Sequence, residues 1–369
     1  PLPPSLMRFA TIIAGGAGTR LWPMSRAGRP KQLLPFIRVE GRPRSLIEIA
    51  AARLEGLVPS SHRFICAAER HRAAIRAALP DLDDEQYLGE PMGRDTVNAV
   101  GLAAAVLEAR DPSAIFAVLT ADHLIEPHAE FLRALDLGFR LVEEDPNRLV
   151  TFSIVPDHAA SGFGYVERGA AVPGFEGAFR ATRFVEKPPL EKAREYVASG
   201  RFGWNSGMFV FSAATVMKSL GRFKPESHDG LRRIQSAWNS PDRVRVLEAV
   251  YPTLPKTSVD FALMEPAAMD SQVGVFTVPM SVNWCDVGSW PSYGETLLPD
   301  EYGNRSNANA VHLGSRNVLA VSDDPQHTIT TIGCENLIII RTADATLICP
   351  ADQAERVKEM AGLVPPTLR

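Results

Sequence analysis

A buried-strand pattern running straight into glycines restricts the fold of this chain more than any other feature. Residues 8–14 (RFATIIA) are apolar and partly β-branched, and Gly15, Gly16, Ala17, Gly18, Thr19 and Arg20 follow without a break. A strand that ends in a glycine-rich turn is a common opening for an open α/β sheet, whose strand ends present bare backbone N–H groups to phosphates. The following sequence keeps that rhythm. Residues 63–67 (RFICA) and 114–119 (AIFAVL) read as further buried strands. Between the strands lie helical patterns at 46–57, opened by a Ser45 and Glu48 capping box, and at 96–109. Later strands are expected at 149–155, 179–185, 208–211 and 273–278. Such alternation predicts an α/β fold built on a doubly wound, mostly parallel sheet.

At 369 residues the chain exceeds the usual size of one hydrophobic core, so a large domain and a smaller one are expected. The texture changes after Pro299, where residues 300–307 form a polar loop. Beyond it, short strand-like pieces at 317–321, 328–332, 337–340 and 346–348 suit a small β module, with room for a few solenoid-like turns, before an amphipathic helix at 352–363. The net charge is only −4, from 39 basic and 43 acidic residues, with no block of like charge. No surface for a nucleic-acid backbone or an anionic membrane is expected. No apolar run approaches the roughly 20 residues that span a bilayer. Cys66, Cys285, Cys334 and Cys349 are widely spaced, without a Cys-x-x-Cys pair, and read as buried apolar thiols of a reducing compartment. Residues 1–6 lack the basic and apolar parts of a signal peptide, and their start at proline points to a processed end, so a soluble cytoplasmic protein is expected.

The glycine loop is neither of the two commonest nucleotide loops. Leu21 stands where the dinucleotide fingerprint needs its third glycine, and no Gly-Lys-Ser/Thr follows as a P-loop requires. What it does carry is two cations, Arg20 and Lys31. Read to Lys31, the segment GGAGTRLWPMSR followed by PK resembles the nucleoside-diphosphate-sugar pyrophosphorylases, whose signature is G-x-G-T-R-L-x-P-x-S and then P-K. The resemblance implies that Gly15, Gly16, Gly18 and Thr19 hold a triphosphate by their backbone. It also implies that Arg20 and Lys31 are the catalytic cations, which suits a reaction needing positioning and charge rather than a protein nucleophile.

Further segments extend the likeness to mannose-1-phosphate guanylyltransferases. EPMGRDT (90–96) looks like their E-P-x-x-R-N-T loop, which implies that Glu90, Arg94 and Thr96 lie along the nucleotide, with Glu90 against the donor edge of guanine. Asp95 replaces the usual Asn, and a simple helix cap at Asp95 or Thr96 is the plainer reading of those residues alone. TADH (120–123) and NWCDVGSW (283–290) are similar to the family's P-A-D-H and W-x-D-V-G-S-W. By that likeness Asp122, which also meets the nucleotide, and Asp286 bind Mg2+, a hard ion suited to carboxylate oxygens. Taken singly, an Asp at a strand end is more commonly a turn or helix cap; two of them, each inside a family motif, reverse that weighting. SGFGYV, FVEKP and WNSGMF resemble the sugar-side motifs, which implies that Gly164, Glu186 and Asn205 touch sugar hydroxyls and Lys187 the sugar phosphate. A solvated Glu186 and Lys187 pair and a core-packing Trp204 are the alternatives.

The tail from Thr331 to Ile348 also looks like that family, so the resemblance covers nearly the whole chain. It implies a Rossmann-like nucleotidyltransferase domain over 1–298 and a β-rich, β-helix-like module over 299–369. The expected partners are GTP and mannose 1-phosphate as substrates and GDP-mannose and pyrophosphate as products, with a homodimer as the assembly. Bacterial bifunctional relatives carry a cupin-like isomerase domain after this point, so transferase activity alone is expected. Two alternatives stand beside this reading: the same chemistry on another sugar 1-phosphate or nucleotide, and a catalytically silent nucleotide-sugar-binding regulatory subunit. The joint presence of Arg20, Lys31, Asp122, Lys187 and Asp286 argues against silence.

Overall fold

The structure is a computed structural model that describes residues 7–16 and 18–369. Residues 1–6 and Ala17 of the glycine loop lie outside the described residues. The chain divides into two compact units, one of Pro1–Gly15, Ala50–Ala121 and Ile125–Trp284, the other of Gly16–Ile49, Asp122–Leu124 and Cys285–Arg369.

The first unit is built on nine strands: β1 (Arg8–Ile13), β2 (Arg63–Ala68), β3 (Tyr87–Glu90), β4 (Ile115–Thr120), β5 (Arg148–Ile154), β6 (Tyr165–Ala171), β7 (Phe179–Val185), β8 (Phe202–Ser212) and β9 (Gly274–Met280). Their order across the sheet is β3-β2-β1-β4-β8-β5-β9-β7-β6. The expected α/β sheet is present and largely parallel. Two strands, β8 and β7, run against the rest, as the antiparallel registers of β8 with β4 and β5 and of β7 with β9 and β6 require. Continuous apolar runs such as FATII and IFAVL form central strands because both sheet faces are covered. One cover is the helix Asp95–Arg110, whose alanines and Gly101 let the helix Pro225–Ala237 approach closely; a Cβ on Gly101 would stand 2.4 Å from Leu231. The helix opened by Ser45 forms with its capping box, Glu48 accepting from the Ser45 amide at 2.8 Å, but ends at Ala52 rather than residue 57. Gly56, at φ +83°, and the tight turns before it stop the helix.

The second unit holds the rest of the glycine loop and the C-terminal strands β10 (Arg305–Ser306), β11 (Asn309–Leu313), β12 (Leu319–Ser322), β13 (Thr328–Ile332), β14 (Leu337–Arg341) and β15 (Thr346–Pro350). Pairing is parallel for β10 with β12, β12 with β14 and β11 with β13. Leu319 opposes Ile338 and Asn309 opposes Thr328, an advance of 19 residues per coil, while the first coil is shorter, with Arg305 opposing Leu319. Asn317 and Asn336, also 19 apart, turn the same corner in left-handed backbone and are joined side chain to side chain at 3.2 Å. The core of this unit is shared. Leu319, Val321, Ile338, Ile340 and Leu347 of the strands pack with Leu21, Trp22 and Leu34 of the glycine-loop segment and with Trp290 and Tyr293.

Candidate active site

In the second unit, Asp122 leaves the carboxyl end of β4 and Asp286 ends the short strand Asn283–Asp286. The fold brings them together: one ligand atom each from Asp122, His123 and Asp286 lie within 4.8 Å of one another. The Val287 amide donates to the Asp122 carbonyl at 3.0 Å, which ties the two segments by backbone. Lys31 Nζ sits 2.7 Å from Asp122 Oδ2 and 4.0 Å from Asp286 Oδ1 and is almost wholly buried. Burial works to raise the Asp122 carboxyl, but the Lys31 ammonium and His123 outweigh it and hold it below its ordinary range. Asp286 Oδ1 is shut off from water and accepts no hydrogen bond among the described residues. A buried carboxylate oxygen left without a donor, beside a second carboxylate, is a donor set that a hard divalent cation fits.

The glycine loop is shaped for close approach. Gly18 has φ +60°, and a Cβ there would meet the Cβ of Lys31 at 2.7 Å, so glycine is what lets the lysine stem pass. Its carbonyl accepts from the Ser25 hydroxyl at 2.6 Å and from the Leu21 amide at 2.9 Å, closing the short turn Thr19–Leu21. Arg20 stands exposed and reaches Glu355 at 3.2 Å, while Arg26 makes a two-pronged bond to Asp344 at 2.6 and 2.8 Å. Trp22 Nε1 donates to the Leu368 carbonyl at 2.8 Å. The sequence alone does not reveal that the C-terminal module anchors this loop, since nothing local marks contacts some 340 residues apart.

The sugar-side residues gather in the first unit. A Cβ on Gly164 would stand 2.5 Å from Glu186 Oε2 and 3.3 Å from Asn205 Cβ, and the Asn205 amide donates to the Gly164 carbonyl at 2.8 Å. Glu186 is not a solvated partner of Lys187, because its side chain is only 6% exposed while that of Lys187 is 57% exposed. The two are nevertheless bonded, and Lys187 adopts φ +47°, a conformation uncommon outside glycine that recurs at functional turns. Burial acts against the Lys187 charge, but bonding to Glu186 prevails and its pKa is raised. Trp204 is buried, donating to the Tyr165 hydroxyl at 3.1 Å, and meets Phe163 at a tilt with ring centroids 5.1 Å apart, and Phe163 in turn meets Trp284 edge-on at 5.0 Å.

The base-loop residues lie in the same unit but are held differently from one another. Glu90 is 5% exposed, and its Oε1 accepts from the Tyr251 hydroxyl at 2.6 Å. Burial raises its pKa, with the Tyr251 bond opposing. Arg94 donates to the Pro252 carbonyl, and Thr96 Oγ1 accepts from the Val259 amide at 2.9 Å. Neither Asp95 nor Thr96 caps the helix, which begins at Asp95 with Arg94 before it and no side-chain cap bond among the described residues; Asp95 Oδ1 accepts from the adjacent Thr96 amide, at 2.9 Å. The partners from 251 to 265, including Asp260 and Glu265, escaped the sequence reading. A pair of acids on a helix-like pattern looks like an ordinary solvated face; only their bonds to Asn205 and to the Glu186 amide, made by the fold, set it apart.

Known proteins agree with this architecture. A nucleotidyl transferase family model matches residues 9–301, and a model of the mannose-phosphate isomerase/GMP-like β-helix domain matches 308–362. A mannose-1-phosphate guanylyltransferase of Klebsiella pneumoniae is 35% identical over 357 residues, covering 96% of this chain and 73% of that protein. One from Escherichia coli is 36% identical over 360 residues, covering 95% and 72%. A crystal structure from Thermus thermophilus, described as a mannose-1-phosphate geranyltransferase, matches at 30% identity with a TM-score of 0.83 over 97% of this chain and 99% of that one. The chain belongs to the nucleotidyl transferase family, in the group of the mannose-1-phosphate guanylyltransferases, and is an enzyme that transfers a nucleotidyl group.

Proposed function

We propose that this enzyme transfers the guanylyl group of GTP to α-D-mannose 1-phosphate, giving GDP-mannose and pyrophosphate. The observation that carries the reading is the meeting of Asp122, Asp286 and Lys31, from three distant motifs, around one buried and donorless carboxylate oxygen. A phosphate oxygen of the sugar phosphate attacks the α-phosphorus of GTP, a new P–O bond forms, and the bond to the bridging oxygen breaks as pyrophosphate leaves with the electron pair. Gly15, Gly16, Gly18 and Thr19 hold the triphosphate by backbone, and Arg20 exchanges Glu355 for phosphate oxygens. Lys31 offsets negative charge on the same oxygens. Asp122 and Asp286 would hold Mg2+, which when bound supplies positive charge to the phosphates.

On the sugar side Glu186 and Asn205 read hydroxyls, Gly164 leaves them room, and Lys187 meets the sugar phosphate. On the base side Arg94 and Thr96 frame the loop, and Glu90 reaches guanine with the oxygen that Tyr251 leaves over. No helix among the described residues is long and apolar enough to cross a membrane, and the reading places the enzyme in the cytoplasm.

The test is pyrophosphate release with Mg2+, each of four NTPs and a panel of sugar 1-phosphates. GTP with mannose 1-phosphate is expected to exceed every other pair; a stronger reaction with another pair reassigns the substrate, and silence with all of them overturns catalysis. We further propose a homodimer that covers the exposed Val311, Leu313 and Ile332 on β11 and β13, where Leu313 lies opposite Ile332. Light scattering should show Leu313→Glu as a monomer; an unchanged mass, or a monomeric wild type, contradicts the dimer.

A further inference from the structure

The side chains assigned to the sugar are themselves held from behind by one short segment. Asn205 Oδ1 accepts from the Thr151 hydroxyl at 2.7 Å, and its Nδ2 donates to Asp260 Oδ1 at 2.9 Å. Both ends of the amide are engaged, so its face is fixed rather than free to flip. The Glu186 amide donates to Glu265 Oε1 at 2.8 Å, one residue before the left-handed backbone of Lys187. That bond pins the turn that aims the Glu186 carboxylate and the Lys187 ammonium.

Asp260 and Glu265 are five residues apart, a spacing that points in divergent directions on a regular α-helix. Here Asp260–Met264 is a π-helical turn running directly into the helix Glu265–Ala268. Its wider hydrogen-bonded repeat brings residues five apart toward one face, and such turns recur at functional sites. The surrounding apolar residues Val259, Ala262, Leu263 and Met264 are buried and fix the turn in place.

We propose that Asp260 and Glu265 are positioning residues for sugar recognition, Asp260 setting the face of the Asn205 amide and Glu265 setting the Glu186–Lys187 turn. This rests on the sugar-side reading of Asn205 and Glu186 given above. Neither acid need touch the substrate. Their loss therefore weakens capture of the sugar phosphate while leaving the nucleotide's affinity in place.

The experiment is steady-state kinetics by pyrophosphate release on the full chain, varying GTP and mannose 1-phosphate separately, with melting temperatures measured alongside. Asp260→Ala and Glu265→Ala are expected to raise KM for mannose 1-phosphate by about tenfold and to change KM for GTP by less than about twofold. Glu265→Gln and Asp260→Asn keep an acceptor oxygen and are expected to recover most of the loss. Should the alanine variants fail to fold, Thr151→Val frees the other end of the same amide and carries the test: a raised KM for the sugar phosphate supports the proposal, and an unchanged one overturns it. Equal effects on both substrates, or no effect on either, overturn the positioning roles. A wild-type chain inactive on every sugar 1-phosphate overturns the sugar-side reading itself, and the positioning roles with it.

Discussion

Among single residues, the most consequential surprise is Asp260. Burial, and next the charge of Glu186, push its carboxyl up to about 7, with Lys187 and the Asn205 amide only partly opposing. Between an ordinary carboxylate pKa near 4 and about 7, the folded chain keeps a proton that the unfolded chain releases. Stability contributed by this residue is therefore present at low pH and declines as pH rises through that window. Asp260→Asn, which never ionises, should raise the melting temperature relative to wild type more at pH 8 than at pH 5 in ligand-free protein. A difference that is constant across pH, or larger at pH 5, would show that Asp260 is not held neutral by its surroundings. The sequence could not announce this, because SVDFALME reads as a plain amphipathic turn and its partners Glu186 and Asn205 lie more than 50 residues away. Lys31 and Asp122, by contrast, were legible, since each sits in a motif at a strand end or a glycine turn.

At the level of elements, strands with unbroken apolar runs were easy to read and polar ones were not. Phe179–Val185 falls where its pattern placed it, and residues 208–211 proved to be part of the eleven-residue strand Phe202–Ser212. Tyr87–Glu90 is short and ends in Gly and Glu, and Tyr165–Ala171 carries Glu167, Arg168 and Gly169 in its middle, so neither shows a strand pattern. The glycine loop is the element whose function depends most on a single backbone position. Gly18→Ala combines a disfavoured positive φ with a 2.7 Å approach to the Lys31 stem, and Lys31 must shift off Asp122. A cost of about 1–3 kcal/mol is expected. Kinetics should show a higher KM for GTP and a lower kcat, with the KM for the sugar phosphate little changed; a variant with wild-type GTP kinetics would mean that the lysine stem does not need that space.

Across the whole molecule, the division of labour does not follow the linear order of the chain. Cutting at the polar loop after Pro299 looks natural in the sequence, yet the second compact unit also takes in Gly16–Ile49 and Asp122–Leu124. The C-terminal coils complete the core on which Leu21, Trp22 and Trp290 rest, and Arg26 and Trp22 bond to Asp344 and Leu368. Periodicity reveals the coils but not what they pack against, because such contacts span some 300 residues of chain. Burying one large apolar side chain contributes about 1.5–3 kcal/mol, and deletion from Asp300 removes several from a fold that can spare only about 5–15. The truncated chain should lose the near-ultraviolet signal of Trp22 and Trp290, become protease-sensitive within residues 16–49, and release no pyrophosphate. A stable, active remainder would show that the phosphate loop stands without the coils.

The central claim is that Asp122 and Asp286, about 160 residues apart in sequence, act as one centre. Its most direct test is pyrophosphate release from GTP and mannose 1-phosphate, titrated with Mg2+, for Asp122→Asn, Asp286→Asn and the double variant. Each single change preserves size and removes one charge from the centre, so turnover should fall by several orders of magnitude while melting stays near wild type. The double variant should be scarcely worse than either single one, since groups acting as a unit are not additive. Near-normal, magnesium-dependent turnover by either single variant, or losses that simply multiply in the double variant, would contradict the account.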